Sequence, residues 1–422
     1  MSAELYAGNS PDRFWRLLAE PEPGRAVWDE AIRRAAVVLP QAARSNGDRI
    51  ESILSQTLGE GQFGLDHWRL GSAQRAYYTL KPLLPRSLTR RMKRAYSAHR
   101  AGAGQLTWPI EGRYVRFQFG VVSNLLEMLG RAYLPFVDFW PDGRRFAFVL
   151  THDIETAEGQ SFASSVADID AAFGFRSCFN FVPERYHVDR GLMDELSARG
   201  FEIGVHGLRH DGRDFATHRQ FVRRATRMNQ FIHNFQTVGF RAPLTHRNPQ
   251  WMQMLDIEYD GSFFDTDPYE PIAGGTMSIW PFQLGGFVEL PYTLAQDYTV
   301  AEVVGETTPR LWLEKVEFIQ ANHGMALLNT HPDYLRKPHT RRIYSEFLAA
   351  MRERADFHHA LPREIARWWR ARAAAASVQA LPDAGIATID VDGVITRSEP
   401  ANPADQYASR TAGARSSAER TA

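Results

Sequence analysis

From about residue 140 to residue 375, short apolar runs alternate with longer segments whose apolar residues have helix spacing. The clearest short runs are RFAFVL, SCFNFV, FEIGV and MALLN, and a typical helical segment is THRQFVRRATRMNQFIHNF. Strands that alternate with helices of this length pair in parallel, because each helix carries the chain back across the sheet. The sequence therefore predicts an α/β fold, an irregular (β/α) barrel whose functional loops follow the carboxyl ends of the strands.

The segments on either side of this barrel have different patterns. Residues 1–135 carry apolar residues at helix spacing, as in DRFWRLLAE and VWDEAIRRAAVVL, and we expect a helical N-terminal region. Residues 376–422 are rich in Ala, Ser, Pro and Arg, and we expect a flexible tail that contains a hairpin around Asp392 and Gly393. The expected units are therefore residues 1–135, a barrel at 136–375 and a tail at 376–422.

Composition and charge exclude several classes of function. The 422 residues include 49 Lys plus Arg and 49 Asp plus Glu, so no net positive charge indicates a nucleic-acid partner. Cys178 is the only cysteine, which excludes an intrachain disulfide and a cysteine metal cluster. No apolar stretch of about 18 residues and no signal-like start is present, so we expect no transmembrane segment and a cytoplasmic location. Homo-oligomerisation through the N-terminal helices is a further open expectation.

Polar residues follow the first strand candidate in the stretch THDIE. In an extended chain, alternate side chains point the same way, so Asp153 and Glu155 share one side. Two carboxylates placed in this way repel each other unless a cation or a proton lies between them. From these residues alone, a metal-binding pair and an ordinary helix cap are both consistent with the sequence.

A second polar exit, HGLRH, follows the strand candidate FEIGV. His206 and His210 are four residues apart, which allows two imidazoles to reach one metal ion. An isolated pair of this kind is also typical of surface histidines beside charged neighbours. Together with one carboxylate, however, the two histidines would form a three-ligand site with an open position for water, as hydrolytic metal sites have.

Three more exits follow further along the chain. Arg241 lies in GFRAPL and His331 in LLNTHP, while YDGSFFDTDP supplies Asp260, Asp265 and Asp267. Arginine orients carboxylates and histidine serves as a general acid, although a surface ion pair and a core histidine are the ordinary alternatives. Five polar clusters at successive strand exits nevertheless indicate one metal site on the rim of the barrel.

Taken in order, THDIE, HGLRH, RAP, YDGSFFDTDP and LLNTHP resemble the five motifs of the polysaccharide deacetylase family, the NodB-homology domain. The resemblance covers roughly residues 140–360. It implies a metal-dependent hydrolase that cleaves a C–N amide bond, with N-deacetylation of an N-acetylated sugar or polysaccharide precursor as the expected reaction. A small amide or cyclic imide is the alternative substrate, and a degenerate domain that binds a glycan or a protein is the alternative function.

The resemblance also implies roles for individual residues. Asp153 would be the general base, Arg241 would tether Asp153, and His331 would protonate the leaving amine. The metal ligands would be Glu155, His206 and His210, and the ion would be zinc, with cobalt, iron or nickel as alternatives. The N–H of Leu244 would help to hold the oxyanion, and Asp260 or Asp265 would support His331 or line the substrate groove.

Two positions depart from the family's common pattern. Ile154 stands where the second aspartate of the first motif is usual, so the ligand role passes to Glu155. Gly207 stands where the second motif usually has Ser or Thr, which removes a hydroxyl from the loop. We expect the shift to Glu155 to change the metal preference or to weaken metal binding, and we expect both departures to accompany an altered substrate.

Overall fold

The structure, a computed structural model, describes residues 3–44, 49–64, 67–69, 106–375 and 377–397. The helices described before Tyr133 are α1 (Pro11–Trp15), α2 (Arg25–Ala35), α3 (Ile50–Gln56) and α4 (Arg113–Leu129). Short 3-10 turns at Ala3–Asn9, Ala36–Val38, Gln41–Arg44 and Gly61–Phe63 accompany them. Helices α2 and α4 pack against each other. No helix among the described residues is long and apolar enough to cross a membrane.

Strands and helices alternate from Tyr133 onward. The strands are β1 (Tyr133–Pro141), β2 (Phe146–Ile154), β3 (Cys178–Phe181), β4 (Glu202–His206), β5 (Gly239–Arg241), β6 (Tyr259–Asp260), β7 (Phe282–Leu284), β8 (Phe287–Glu289), β9 (Met325–Thr330), β10 (Phe357–His359), β11 (Ala384–Asp390) and β12 (Ile395–Arg397). The helices between them are α5 (Ala157–Ala172), α6 (Arg190–Ala198), α7 (His218–Asn234), α8 (Pro249–Met252), α9 (Arg310–Ala321), α10 (Pro332–Leu335), α11 (Pro338–Arg352) and α12 (Pro362–Ala374).

The larger sheet is a curled and mainly parallel sheet. Its order is β10-β2-β3-β4-β5-β6-β8-β7, and β9 lies parallel to β2 as a further neighbour. Only β7 runs antiparallel, to β8. An isolated parallel bridge from Phe264 to Tyr292 joins the chain after β6 to the chain after β8, and a second from Leu294 to Leu328 joins the latter to β9, so the sheet curls back on itself. This architecture confirms the predicted irregular α/β barrel.

The register of the parallel strands places the predicted polar exits on one rim. His152 pairs with Phe179 of β3 on one side and with Thr330 of β9 on the other, and His206 pairs with Arg241 of β5. Every residue of β2 is buried, as is usual for a central parallel strand covered on both faces. The residues that follow β2, β4, β5 and β9 therefore meet at the carboxyl end of the barrel.

A second sheet corrects the expected domain boundaries. Strands β11 and β12 form the predicted hairpin, and β11 pairs antiparallel with β1, for example Leu134 with Ile389. The expectation of a flexible tail from residue 376 is therefore wrong for residues 384–397, because Ala387 and Ile389 alternate inward and are buried. The boundary at 135/136 lies within β1, which belongs to this small sheet. The rest of the expected tail, 398–422, lies outside the described residues.

Aromatic side chains join the N-terminal helices to the barrel. Phe14 of α1 packs against Phe139 and Trp280, with ring centroids 5.2 and 5.0 Å apart. Beside them, Arg372 of α12 is almost fully buried and donates to the carbonyls of Phe14, Val137 and Asp138. Much of the chain's aromatic content therefore lies in the core that these elements share.

A buried carboxyl group lies at the start of β4, at the amino end of the barrel. Glu202 accepts hydrogen bonds from the Tyr259 hydroxyl at 2.9 Å and from the Arg363 N–H at 3.2 Å. No cation forms a salt bridge with it among the described residues, and burial raises the pKa of Glu202 to about 7. The folded chain therefore binds this proton more tightly than the unfolded chain does.

We expect the stability of the protein to fall between about pH 4.5 and pH 7 through Glu202. In this window the unfolded chain has lost the proton and the folded chain still holds it, so the free energy of unfolding decreases as pH rises, by about 3 kcal/mol in total. Above the pKa that Glu202 has in the folded chain, this loss of stability no longer changes with pH. Glu202→Gln should remove this pH dependence, and urea unfolding at pH 5 and pH 8 measures it. An unchanged pH dependence in the variant would contradict the assignment.

Candidate active site

Three side chains that the sequence predicted as metal ligands converge at the carboxyl end of the barrel. Their ligand atoms, from Glu155, His206 and His210, all lie within 4.8 Å of one another. Glu155 follows β2, His206 is the last residue of β4, and His210 lies in the loop after it. Ligand atoms about 2.0–2.2 Å from one tetrahedral zinc lie roughly 3.4 Å apart, so the three atoms fit a common ion.

The polar atoms of this group also fit a cation better than they fit each other. The Nε2 atoms of His206 and His210 are buried and have no hydrogen-bond partner in the described part of the chain. His210 Nε2 also lies 2.8 Å from Glu155 Oε1, so the two ligand atoms face each other. Two imidazole nitrogens and a carboxylate oxygen are ligands that zinc accepts. The donor set therefore fits the metal that the resemblance implies.

A backbone carbonyl of the neighbouring strand fixes the orientation of the His206 ring. Its Nδ1 lies 3.1 Å from the carbonyl oxygen of Arg241, which can only accept, so Nδ1 carries the proton and Nε2 presents its lone pair to the site. Burial lowers the pKa of His206 to about 4, which leaves the imidazole neutral at pH 7. A neutral imidazole is the form that binds a metal.

The loop between the two histidines explains the glycine in the second motif. Gly207 has φ of 60°, and a Cβ there would collide with the ring of Pro243 and approach the Asp214 carboxylate. His210 has φ of 52°, which a non-glycine residue rarely adopts. Close packing against the third-motif loop thus requires glycine at 207, where the family's common pattern has Ser or Thr.

Asp153 is held by two asparagines that the sequence reasoning missed. Asn180 of β3 donates to Oδ1 and Asn329 of β9 donates to Oδ2, both at 2.9 Å. Gly204 leaves room for Asn180, because a Cβ at 204 would collide with its amide oxygen. Cys178 donates to that same oxygen at 3.3 Å, which turns the amide NH2 toward Asp153. Asparagines on the two strands that flank β2, with Asn180 opposite Asp153 and Asn329 opposite Thr151, were the available signal.

Arg241 lies beside Asp153, as the sequence predicted, but no hydrogen bond joins the two. The Nε atom is 3.5 Å from Asp153 Oδ1 and has no hydrogen-bond partner among the described residues, while Nη2 donates to Thr151 at 3.1 Å. Burial raises the pKa of Asp153, but the protonated forms of His206 and His331 and the charge of Arg241 lower it by more, and the net pKa is below the usual value. Arg241 thus acts on Asp153 through its charge, and the asparagines fix the position.

His331 is paired with a carboxylate that the sequence reasoning did not select. Its Nδ1 lies 2.8 Å from Oδ1 of Asp297, whose other oxygen accepts the His331 N–H at 3.0 Å. Burial alone would lower the pKa of His331, but the Asp297 carboxylate raises it to about 10. The imidazole is therefore protonated at neutral pH. Asp297 follows the strand-like run FVELPYT, and an acid after that exit was the signal to find it.

The expectation that Asp260 or Asp265 supports His331 is wrong. Asp265 pairs with Lys315 at 2.5 Å, and Asp260 accepts from Ser262 at 2.6 Å next to the Glu289 carboxyl. Both side chains are buried in the barrel wall. Lys315 and Ser262 are the partners of these two carboxylates because residues 261–267, which carry the fourth motif, are buried in the fold. The spacing of the acids in the sequence does not reveal this burial.

Leu244, the expected oxyanion donor, lies in a short turn after β5. It has φ of 60° and ψ of 19°, and the following Thr245 has φ of 53°. Leu244 is partly exposed between buried neighbours. Its turn begins at Pro243, the residue against which Gly207 packs, so the turn borders the group of Glu155, His206 and His210.

Comparisons with known proteins were made for sequence and for structure. No protein-family profile and no curated protein matches the chain. A candidate polysaccharide deacetylase from Mycobacterium smegmatis has 22% identity and a TM-score of 0.44, and the match covers 55% of this chain and 93% of that chain. The Puue allantoinase has 15% identity and a TM-score of 0.45, with 55% and 92% covered. The peptidoglycan deacetylase PdaC from Bacillus subtilis has 9% identity and a TM-score of 0.37, with 55% and 93% covered.

Most of these solved structures are polysaccharide deacetylases. That is the family whose five motifs the sequence resembles. All these identities are below 25% and the TM-scores are below 0.5, so the arrangement of the site rests on the chain's own geometry.

Proposed function

We propose that the chain is a metal-dependent amide hydrolase that removes the acetyl group from an N-acetylated sugar or polysaccharide precursor. The observation that supports this most is that a carboxylate and a histidine lie next to different members of the group Glu155, His206 and His210. Asp153 Oδ2 lies 3.8 Å from His206 Nε2, and His331 Nε2 lies 3.8 Å from Glu155 Oε1. A base and an acid that flank a Lewis-acid site suit the hydrolysis of an unreactive amide.

Glu155, His206 and His210 would hold the metal, and zinc suits this set. When bound, the ion would polarise the amide carbonyl and make water more acidic. The hydrogen bonds around Asp153 and His331 support the following roles of the chain's own residues in proton transfer. Asp153 would accept a proton from the attacking water, since Asn180 and Asn329 hold its carboxylate in place and Arg241 balances its charge.

His331 would supply the proton that the leaving nitrogen needs. Asp297 occupies Nδ1, so Nε2 is the atom that can donate toward the substrate. The Leu244 N–H would stabilise the charge that develops on the carbonyl oxygen. The reaction consumes one water and one amide and yields acetate and an amine, so no other co-reactant is needed.

The test of this proposal is release of acetate from N-acetylglucosamine and its oligomers, beside a cyclic ureide as the alternative substrate. We expect acetate release that falls by about 100-fold or more after treatment with a chelator and returns when zinc or cobalt is added. Turnover of the cyclic ureide alone would assign the small-molecule alternative. Turnover that does not respond to metal removal would refute the mechanism.

A further inference from the structure

One carboxylate of the N-terminal region lies between two loops of the barrel. Glu60, which follows α3, is 1% exposed and accepts hydrogen bonds from Nε of Arg247 at 2.9 Å and from the Gly275 N–H at 2.6 Å. Arg247 Nη2 also donates to Glu60. Gly274 permits this close approach, because a Cβ there would collide with both partners. Glu60 thus joins the loop after β5 to the fourth-motif loop.

The arginine in this pair reaches the turn that contains Leu244. Arg247 is fully buried, and its Nη1 donates to the carbonyl oxygen of Thr245 at 2.6 Å. The faces of Phe263 and Phe264 lie 4.7 and 4.8 Å from its guanidinium carbon. The guanidinium therefore has one fixed position, and the fork of Arg247 connects Glu60 to Thr245.

The turn itself needs support from outside. Leu244 and Thr245 are consecutive non-glycine residues with left-handed backbone angles, a conformation that persists only where the surroundings impose it. Two contacts from outside the turn support it: the bond from Arg247 to the Thr245 carbonyl and a 3.3 Å bond from the Thr245 hydroxyl to Glu270. The first of these depends on Glu60, because a buried guanidinium without its carboxylate partner is strongly unfavourable.

We infer that Glu60 is a positioning residue for amide hydrolysis, which acts through Arg247 to hold the Leu244 N–H in place for the oxyanion. The inference rests on the proposed function, because it assumes the oxyanion role of Leu244. It also gives the N-terminal region a function, for which the sequence contained no motif. The region supports the proposed active site by bracing the turn, and no hydrogen bond or ion pair joins its described residues to Glu155, His206 or His210.

The experiment compares Glu60→Gln and Arg247→Lys in the full-length protein. Arg247→Lys keeps a charge for Glu60, but a single ammonium cannot reproduce the fork that also reaches Thr245, so this variant tests positioning even if Glu60→Gln fails to fold. For each variant that folds we expect kcat to fall by about 10- to 100-fold while KM changes by less than about 3-fold. Hydrogen exchange at residues 243–248 should accelerate, and metal content should stay as in the wild type.

A matched control is Asn9→Ala. Asn9 also joins the N-terminal region to the barrel, through bonds of 2.8 and 2.7 Å to the backbone of Gln283, but at a strand away from the site. We expect wild-type kcat and wild-type exchange at 243–248 in this variant. An equal loss of kcat in Asn9→Ala, or unchanged kcat and exchange in Arg247→Lys, would overturn the inference.

The two proposals fail in different ways. If the wild-type protein hydrolyses no amide, the proposed function fails, and with it the catalytic role of Glu60. The exchange measurement then still decides whether Glu60 and Arg247 brace the turn. If the wild type is active and the variants lose neither kcat nor exchange protection, the proposed function stands and only the role of Glu60 is refuted.

Discussion

The double variant His206→Ala/His210→Ala is expected to retain almost no metal, whereas the wild-type chain is expected to bind about one ion. This variant lacks two of the three expected protein ligands, and a single carboxylate binds zinc too weakly to compete with hydration of the ion in water. We expect amide hydrolysis to fall on the order of 10³-fold or more, because the ion supplies the activation of both carbonyl and water. Elemental analysis of the purified proteins, beside the acetate-release assay, measures both effects.

The matched control replaces two histidines elsewhere on the chain. His218 and His233 lie on α7 and are exposed, so His218→Ala/His233→Ala removes the same number of imidazoles without touching the site. Its metal content should equal that of the wild type. Full metal retention in the site variant would show that the ligand assignment is wrong. If the wild type binds no ion even after incubation with zinc or cobalt, a degenerate binding domain becomes the better interpretation.

The variant Asp153→Asn is expected to keep its metal and to lose about 10²- to 10⁴-fold in kcat, since an amide cannot accept the proton of the attacking water. Asn180 and Asn329 each donate a hydrogen bond to one oxygen of Asp153. The NH2 group of an asparagine at position 153 would therefore face one of these two donors. The local structure should adjust there while the ligand group stays intact. Metal analysis and steady-state kinetics on the same preparation check both parts.

Glu155→Gln is the counterpart that separates the base from the ligand. Glu155 belongs to the three-ligand group, and its replacement should lower metal content as well as activity. If Glu155→Gln keeps its metal and Asp153→Asn loses it, then the two carboxylates have exchanged roles. The position of Ile154, where the common motif has an aspartate, makes this comparison necessary.

The ligand roles of Glu155, His206 and His210 came from the resemblance to a family, whereas local signals in the sequence predicted the alternation of strands and helices and the five polar exits. They succeeded because parallel strands place their carboxyl ends on one rim, whatever the details of the loops. The hairpin at 384–397 was also predicted from its Asp-Gly turn, but its pairing with β1 was not. That pairing joins residues about 250 positions apart, which no local pattern encodes.

The sequence by itself determined the fold class and the identity of the residues at the rim. Only the tertiary structure decided which carboxylate serves which partner: Asp297 pairs with His331, Lys315 occupies Asp265, and two asparagines hold Asp153 where a tether from Arg241 was expected. Only the fold places Glu60 against Arg247, 187 positions away. The physical reason is that the alternation of side chains along a strand and the register between strands fix which face and which end of the sheet a residue occupies. The pairing of buried polar groups depends instead on distances that arise only when loops far apart in the sequence pack together.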